Sequence, residues 1–239
     1  MRKLALIADI HGNHLALKAV LDDIRKRGVG GVYCLGDLVG YAPFPNEVIE
    51  IIRREHIPTV MGNYDDGVGF VRFVCGCDFP NEEARLAGEQ SLSWTKAHVA
   101  EENKEFLRRL PKEIWIENEG NKILLVHGSP RALNEYIKED TAEETLDDIF
   151  QQTGADILCV GHTHKPFHRI FNGRHIINAG SVGRPKHGDP NALYCLLTIG
   201  EQLQIEFPKV SYDTEAVARA ILGAGLPAAF ADQVRTGKD

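Results

Sequence analysis

The sequence predicts an α/β domain built on two sheets, from three observations. Over roughly the first 160 residues, short apolar runs alternate with stretches of helical periodicity, as strands and covering helices do around a parallel sheet. From Phe167 onward short strand-like runs crowd together with Gly173 and Gly200 at the turns, which reads as antiparallel pairing. No repeat, low-complexity tract or linker interrupts the chain, so residues 1–239 read as one domain.

The elements follow in order. Leu4 to Ala8 is an apolar run ended by Asp9, and Leu17, Val20, Leu21 and Ile24 then recur at helical spacing up to Gly28. Val32 to Leu35 repeats the strand, Asn46 to Arg54 the helix, and Thr59 to Met61 a third strand entered at Pro58. Residues 66–111 break the rhythm. There a loop containing Gly, Cys75 and Cys77 precedes two helical stretches, Asn81 to His98 and Glu101 to Leu110, and this helical insert is expected to overhang the strand ends. Ile123 to Val126 and Ile157 to Val160 resume the buried-strand pattern, with a helix between them starting at Thr141, where Glu144 would complete a capping box. Phe167 to Phe171, His175 to Asn178, Ala192 to Ile199 and Gln202 to Phe207 are the later strands, and the tail from Asp213 reads as one helix.

With 43% hydrophobic and 26% charged residues the chain can bury a sizeable core. A net charge of −7 makes a nucleic-acid polymer a poor partner, because binding to phosphate backbones runs on clustered Lys and Arg. No segment is apolar for long enough to cross a membrane, and the opening MRKLALIADIHG meets Asp9 too soon for a signal-peptide core, so no membrane partner and a cytoplasmic location are expected. Five cysteines without a C-x-x-C pair fit reduced thiols. Cys34, Cys159 and Cys195 read as core residues. Cys75 and Cys77, one residue apart, are too close for an easy disulfide or metal clip and are expected to have neither role.

The strand ends carry the chemistry. Asp9 and His11 follow the first, Asp37 the second, Asn63 the third, and His127, His162 and His164 the later ones. Ligands of an open α/β sheet bind outside the carboxyl ends of its strands, so these seven side chains can converge. In an extended segment residues two apart point the same way, which pairs Asp9 with His11 and His162 with His164, each pair gripping one ion. Four imidazoles, two carboxylates and a carboxamide suit Mn, Fe, Zn or Co, with Mn the choice in vitro, and are too many for one tetrahedral ion. Two ions sharing Asp37 use the set economically. Against two carboxylates and a bridging hydroxide, two divalent ions leave the site positive by about one charge, which a phosphoryl group would neutralise. Paired ions about 3.5–4 Å apart could bind phosphoryl oxygens and activate the bridging water for attack.

Asp9-x-His11, Gly36-Asp37-x-x-Gly40, Gly62-Asn63-x-Asp65, His127-Gly128 and Gly161-His162-x-His164 together resemble the calcineurin-like metallophosphoesterase superfamily, and most closely its small bacterial and archaeal phosphodiesterase-like branch; Asn178 to Gly183 is also similar to that branch. The resemblance implies a four-layer αββα sandwich of two mixed β-sheets flanked by helices. It implies one metal held by Asp9, His11, Asp37 and His164, and another by Asp37, Asn63, His127 and His162. Tyr64 stands where the family usually has a His thought to protonate the leaving group. A phenol is the weaker acid, so a preference for good leaving groups is expected, the alternative being that Tyr64 only packs against the insert. Asn13 could touch a phosphoryl oxygen or cap the following helix. Arg184 and Lys186 could bind a second phosphate or be merely solvated.

The expected activity is hydrolysis of a small phosphodiester or phosphoanhydride, nucleotide-like or a dinucleoside polyphosphate. A phosphoprotein phosphatase is the enzyme alternative, although the acidic insert with Glu82, Glu83, Glu101 and Glu102 offers no obvious phosphopeptide groove. A non-catalytic scaffold of the same fold is the third.

Overall fold

The structure, a computed structural model, describes residues 2–118, 120–200 and 202–238; Met1 and Asp239, the ends of the expected 1–239 domain, lie outside the described residues. In chain order the first half holds β1 (Arg2–Ile7), α1 (His14–Lys26), β2 (Gly31–Cys34), α2 (Pro45–Arg54), α3 (Asn63–Gly69), α4 (Glu82–His98) and α5 (Glu101–Arg108). There follow β3 (Glu113–Asn118), β4 (Asn121–Val126), α6 (Glu143–Thr153), β5 (Ile157–Val160), β6 (Phe167–Phe171) and β7 (Arg174–Asn178). The chain continues with β8 (Ala192–Leu193), β9 (Cys195–Ile199), β10 (Gln204–Glu206), β11 (Lys209–Val210), α7 (Thr214–Gly223) and α8 (Ala228–Thr236).

One sheet has the order β10-β9-β1-β2 and the other β3-β4-β5-β7-β6. Both are mixed: β1 runs parallel to β2 and antiparallel to β9, while β4, β5 and β7 are parallel and β3 and β6 pair antiparallel at the edges. The strand alternation assigns the layers. Leu4, Leu6 and Ala8 join Ile123, Leu125, Ile157 and Ile177 in one buried cluster between the sheets. Ala5 and Ile7, on the other face of β1, pack with Leu17 and Val20 of α1 and Ile49 of α2. Leu124, Val126, Leu158 and Val160 turn outward onto Leu146 and Phe150 of α6. These are the four layers the resemblance implies. Each fully buried Leu or Ile contributes about 1.5–3 kcal/mol, and truncating Leu6 to Ala would cost about 2–5 kcal/mol including the cavity it leaves.

Five local expectations need correction. Residues Glu113–Asn118, not anticipated as a strand, form β3, an edge strand with Trp115 42% exposed, so its apolar pattern is weak. The expected strand Thr59 to Met61 makes a single parallel bridge, Cys34 to Thr59, because Met61 N–H leaves the sheet to bond Pro111 O at 2.7 Å. Ala192 to Ile199 is divided at Tyr194, with β8 pairing β11 and β9 pairing β1. The tail is two helices, because Gly225 has φ +71° and Pro227, which cannot donate an N–H, caps the second. No capping box forms at Thr141: its Oγ1 accepts the Lys138 N–H at 2.7 Å, and α6 starts behind Ala142.

Candidate metal centre

The loops that leave β1, β2, β4 and β5, together with the start of α3, place all seven predicted donors at one end of the two sheets. Backbone bonds fasten these loops to one another: Asp9 N–H to Gly36 O at 3.0 Å, His11 N–H to Asp37 O at 3.0 Å and Gly161 N–H to His127 O at 2.8 Å. Asp9, His11, Asp37, His162 and His164 all take positive φ, between 49° and 65°. Such backbone in a non-glycine residue costs on the order of 1–3 kcal/mol and persists where the surroundings over-determine it. Gly62 is required beside them, since a Cβ there would lie 2.1 Å from Asp37 Oδ1.

The donors form two buried groups, Asp9 with His11 and His164, and Asp37 with His127 and His162, the ligand atoms of each lying within 4.8 Å of one another. His162 and His164 therefore fall in different groups, contrary to the extended-spacing expectation. With both residues in left-handed backbone, the two imidazoles do not project in parallel. Asp37 Oδ2 lies 3.6 Å from His11 Nε2 and 3.4 Å from His127 Nε2, between the groups, while Oδ1 accepts the Tyr64 N–H at 2.9 Å. Asn63 Oδ1 is 2.9 Å from His127 Nε2.

Every imidazole is oriented by a backbone carbonyl. Nδ1 of His11, His127 and His164 meets Val39 O, Leu35 O and Arg184 O at 2.9, 2.7 and 2.7 Å, and His162 bonds the Asn134 backbone. A carbonyl only accepts, so the Nδ1 atoms facing Val39, Leu35 and Arg184 are assigned as donors, which turns the three Nε2 atoms toward a cation, that of His127 once it has lost its proton. The donor set fits paired transition-metal ions on a further ground: Asp9 Oδ1 and His162 Nε2 are buried and, among the described residues, have no hydrogen-bond partner.

Burial pushes the Asp9 carboxyl up to about 8 and lowers His11 to about 4 and His162 to about 3. It also opposes charge on Asp37 and His127, yet their mutual attraction wins, holding Asp37 at about 2 and His127 at about 9. Without a cation, the Asp37 carboxylate thus borrows positive charge from an imidazole.

The centre opens into a cleft of about 840 Å³. Tyr64 lines it with its ring edge-on to His11 at 5.4 Å and tilted against Tyr41 at 4.8 Å, and burial raises its phenol well above the usual value. Asn13 does not reach the cleft. It is fully buried, caps α1 by accepting the Ala16 N–H at 3.1 Å, and donates to Gly183 O and Tyr212 Oη. Arg184 is also buried, not solvated: its guanidinium lies 4.0 Å over the Tyr41 ring and donates to Gln233 Oε1, and it still lines the cleft. Lys186 lines the same cleft, and its charge acts on Asp9, His162 and His164.

Other supporting residues are not evident from spacing. Asp65 accepts the N–H groups of Asp37, Leu38 and Gly62 at 2.9 to 3.0 Å and so ties two donor loops together; its place in the Gly62-Asn63-x-Asp65 motif was the available signal. Cys75 and Cys77 are free thiols as expected, but Asn63 Nδ2 donates to Cys75 O at 3.0 Å and Cys77 Sγ at 3.1 Å, which turns Oδ1 toward His127. Tyr136 packs its ring 4.1 Å from His162, and Phe230 and Gln233 reach the cleft from α8. The insert supplies a cleft wall through residues such as Phe79 and Leu86.

Residues 2–202 match the family model of the calcineurin-like phosphoesterase superfamily domain. An uncharacterised protein of Methanocaldococcus jannaschii is 34% identical over 250 aligned residues, covering 98% of both chains. The crystal structure of a metallophosphoesterase from Sphaerobacter thermophilus covers 99% of both chains at 28% identity, with a TM-score of 0.79. That of a protein from Pyrococcus horikoshii covers 100% of both at 25% identity, with a TM-score of 0.86.

Proposed function

The chain belongs to the calcineurin-like phosphoesterase superfamily, and we propose that it hydrolyses a phosphodiester or phosphoanhydride in a small, nucleotide-like molecule with the help of two transition-metal ions. The observation that carries this reading is Asp37 Oδ2, set between His11 and His127 at 3.6 and 3.4 Å, where one carboxylate can serve both groups of donors. Asp9, His11, Asp37 and His164 would hold one ion, and Asp37, Asn63, His127 and His162 the other. The mixed nitrogen and oxygen set suits Mn, Fe, Zn or Co. When bound, such ions supply Lewis acidity toward phosphoryl oxygens and lower the pKa of water.

The chain's own residues do the rest. Backbone carbonyls fix the three assigned imidazole tautomers before substrate arrives, so little reorganisation is needed during the reaction. Arg184, clamped by Gln233 and Tyr41, and Lys186 put positive charge along the cleft for a second phosphate. Tyr64 is placed to donate a hydrogen bond beside His11, but its raised phenol pKa makes it a poor proton source, favouring substrates whose leaving group departs as an anion.

A panel of bis-p-nitrophenyl phosphate, p-nitrophenyl phosphate, a dinucleoside polyphosphate and a phosphopeptide, assayed in Mn²⁺ with His162→Ala as control, tests this. Diester or anhydride cleavage that the variant loses supports the reading. Turnover confined to the phosphopeptide would replace it with a phosphoprotein phosphatase.

A further inference from the structure

The cleft is chemically divided. The candidate metal donors line it together with Arg184 and Lys186, and an apolar wall is added by Phe79, Leu86 and Ala87 of the insert and Ala228 and Phe230 of the tail, with the polar Asn81, Glu83 and Gln90 beside them. Those two segments are far apart in sequence yet are fastened together. Gln90 Nε2 donates to Gly225 O at 3.0 Å and Trp94 Nε1 to Ala224 O at 3.1 Å, which fixes α4 against the turn preceding α8. Phe79 is set by close packing as well. A Cβ on Gly88 would meet its ring at 2.4 Å, so the ring lies directly on the α4 backbone. Leu86 remains 53% exposed beside it. A small inorganic or methyl phosphate has no large apolar group with which to cover these side chains.

We propose that the wall formed by Phe79, Leu86 and Ala228 is a specificity subsite for a bulky apolar group of aromatic size, attached through oxygen to the phosphoryl group held at the metal end. This rests on the phosphoesterase reading and narrows its substrate class. The wall binds the ester group that stays on phosphorus; the leaving group departs opposite the attacking water, along a different bond of the tetrahedral centre. Covering it removes apolar surface from water on both partners, which favours the bulky ester without any new polar contact.

Two substrates with a common leaving group isolate the effect: p-nitrophenyl phenyl phosphate and p-nitrophenyl methyl phosphate, assayed in Mn²⁺. The native protein should prefer the phenyl ester in kcat/KM by roughly tenfold or more, the scale expected for covering one large apolar group. Leu86→Ser, at an exposed position where the fold is not at risk, and Phe79→Ala should each shrink that ratio by at least threefold. No preference in the native protein, or parallel losses on both esters, would overturn the subsite. If neither ester is hydrolysed, the diester form of the proposed function fails separately. Calorimetric binding of phenylphosphonate and methylphosphonate to the Mn²⁺-loaded protein then decides: tighter phenyl binding sustains the wall, and equal affinity removes it.

Discussion

Asp37 turns Oδ2 toward His127, whose Nε2 lies 3.4 Å away, while its other oxygen is held by the Tyr64 N–H. The carboxylate is thereby fixed at the boundary of the two donor groups, with His11 at 3.6 Å on the far side. Asp37→Asn keeps the shape but removes the shared charge. It should cost at least about 100-fold in kcat and weaken binding of both ions, read by steady-state kinetics alongside elemental analysis. Full metal content with native turnover would show that Asp37 is not shared.

Cation binding should release protons near neutral pH. Asp9, at about 8, and His127, at about 9, are protonated at pH 7 in the metal-free protein, and ligands must lose their protons to bind. Affinity for Mn²⁺ therefore rises with pH and levels off only above about pH 9. Calorimetry at pH 7 in buffers of different ionisation enthalpy should give a net release of at least one proton; a value near zero would contradict this charge state.

Asp65→Asn replaces one carboxylate oxygen, which accepts N–H groups, with an amide nitrogen, which donates. The Asp37, Leu38 and Gly62 amides would lose part of their support, costing about 2–4 kcal/mol of stability and 10- to 100-fold in Mn²⁺ affinity. Chemical denaturation and metal titration of the variant measure the two effects.

Tyr64→His should restore an acid of suitable pKa next to His11. The expected gain is roughly tenfold or more on alkyl esters relative to aryl esters. Equal changes on both would assign Tyr64 to packing alone.

Arg184→Gln should raise KM for substrates with a second phosphate by about tenfold while changing kcat less, since it removes a charged donor from the cleft and none of the seven candidate metal donors. A profile limited to lower kcat would place Arg184 with the reacting groups instead.

Much of this centre was legible because its donors are polar residue types that interrupt apolar strands, as Asp9 does after Leu4 to Ala8. Which donor group His162 and His164 join was not legible from spacing, because their positive φ angles depend on contacts such as the Asp9 carboxylate accepting the His162 N–H at 3.1 Å, 153 residues away. β3 escaped notice because half-exposed Trp115 blurs its pattern, while the break at Gly225 and Pro227 was visible in the sequence but outweighed by the alanine-rich helix signal. The contribution of α8 to the cleft depends on Trp94 reaching Ala224 and has no local signature.

The most direct test of the central claim is the number of Mn²⁺ ions bound per chain, measured by titration calorimetry and elemental analysis on the native protein and on His162→Ala. The account predicts two ions in the native protein, with binding at one position weakened at least tenfold in the variant. A native stoichiometry of one, or binding unaffected by His162→Ala, would contradict it.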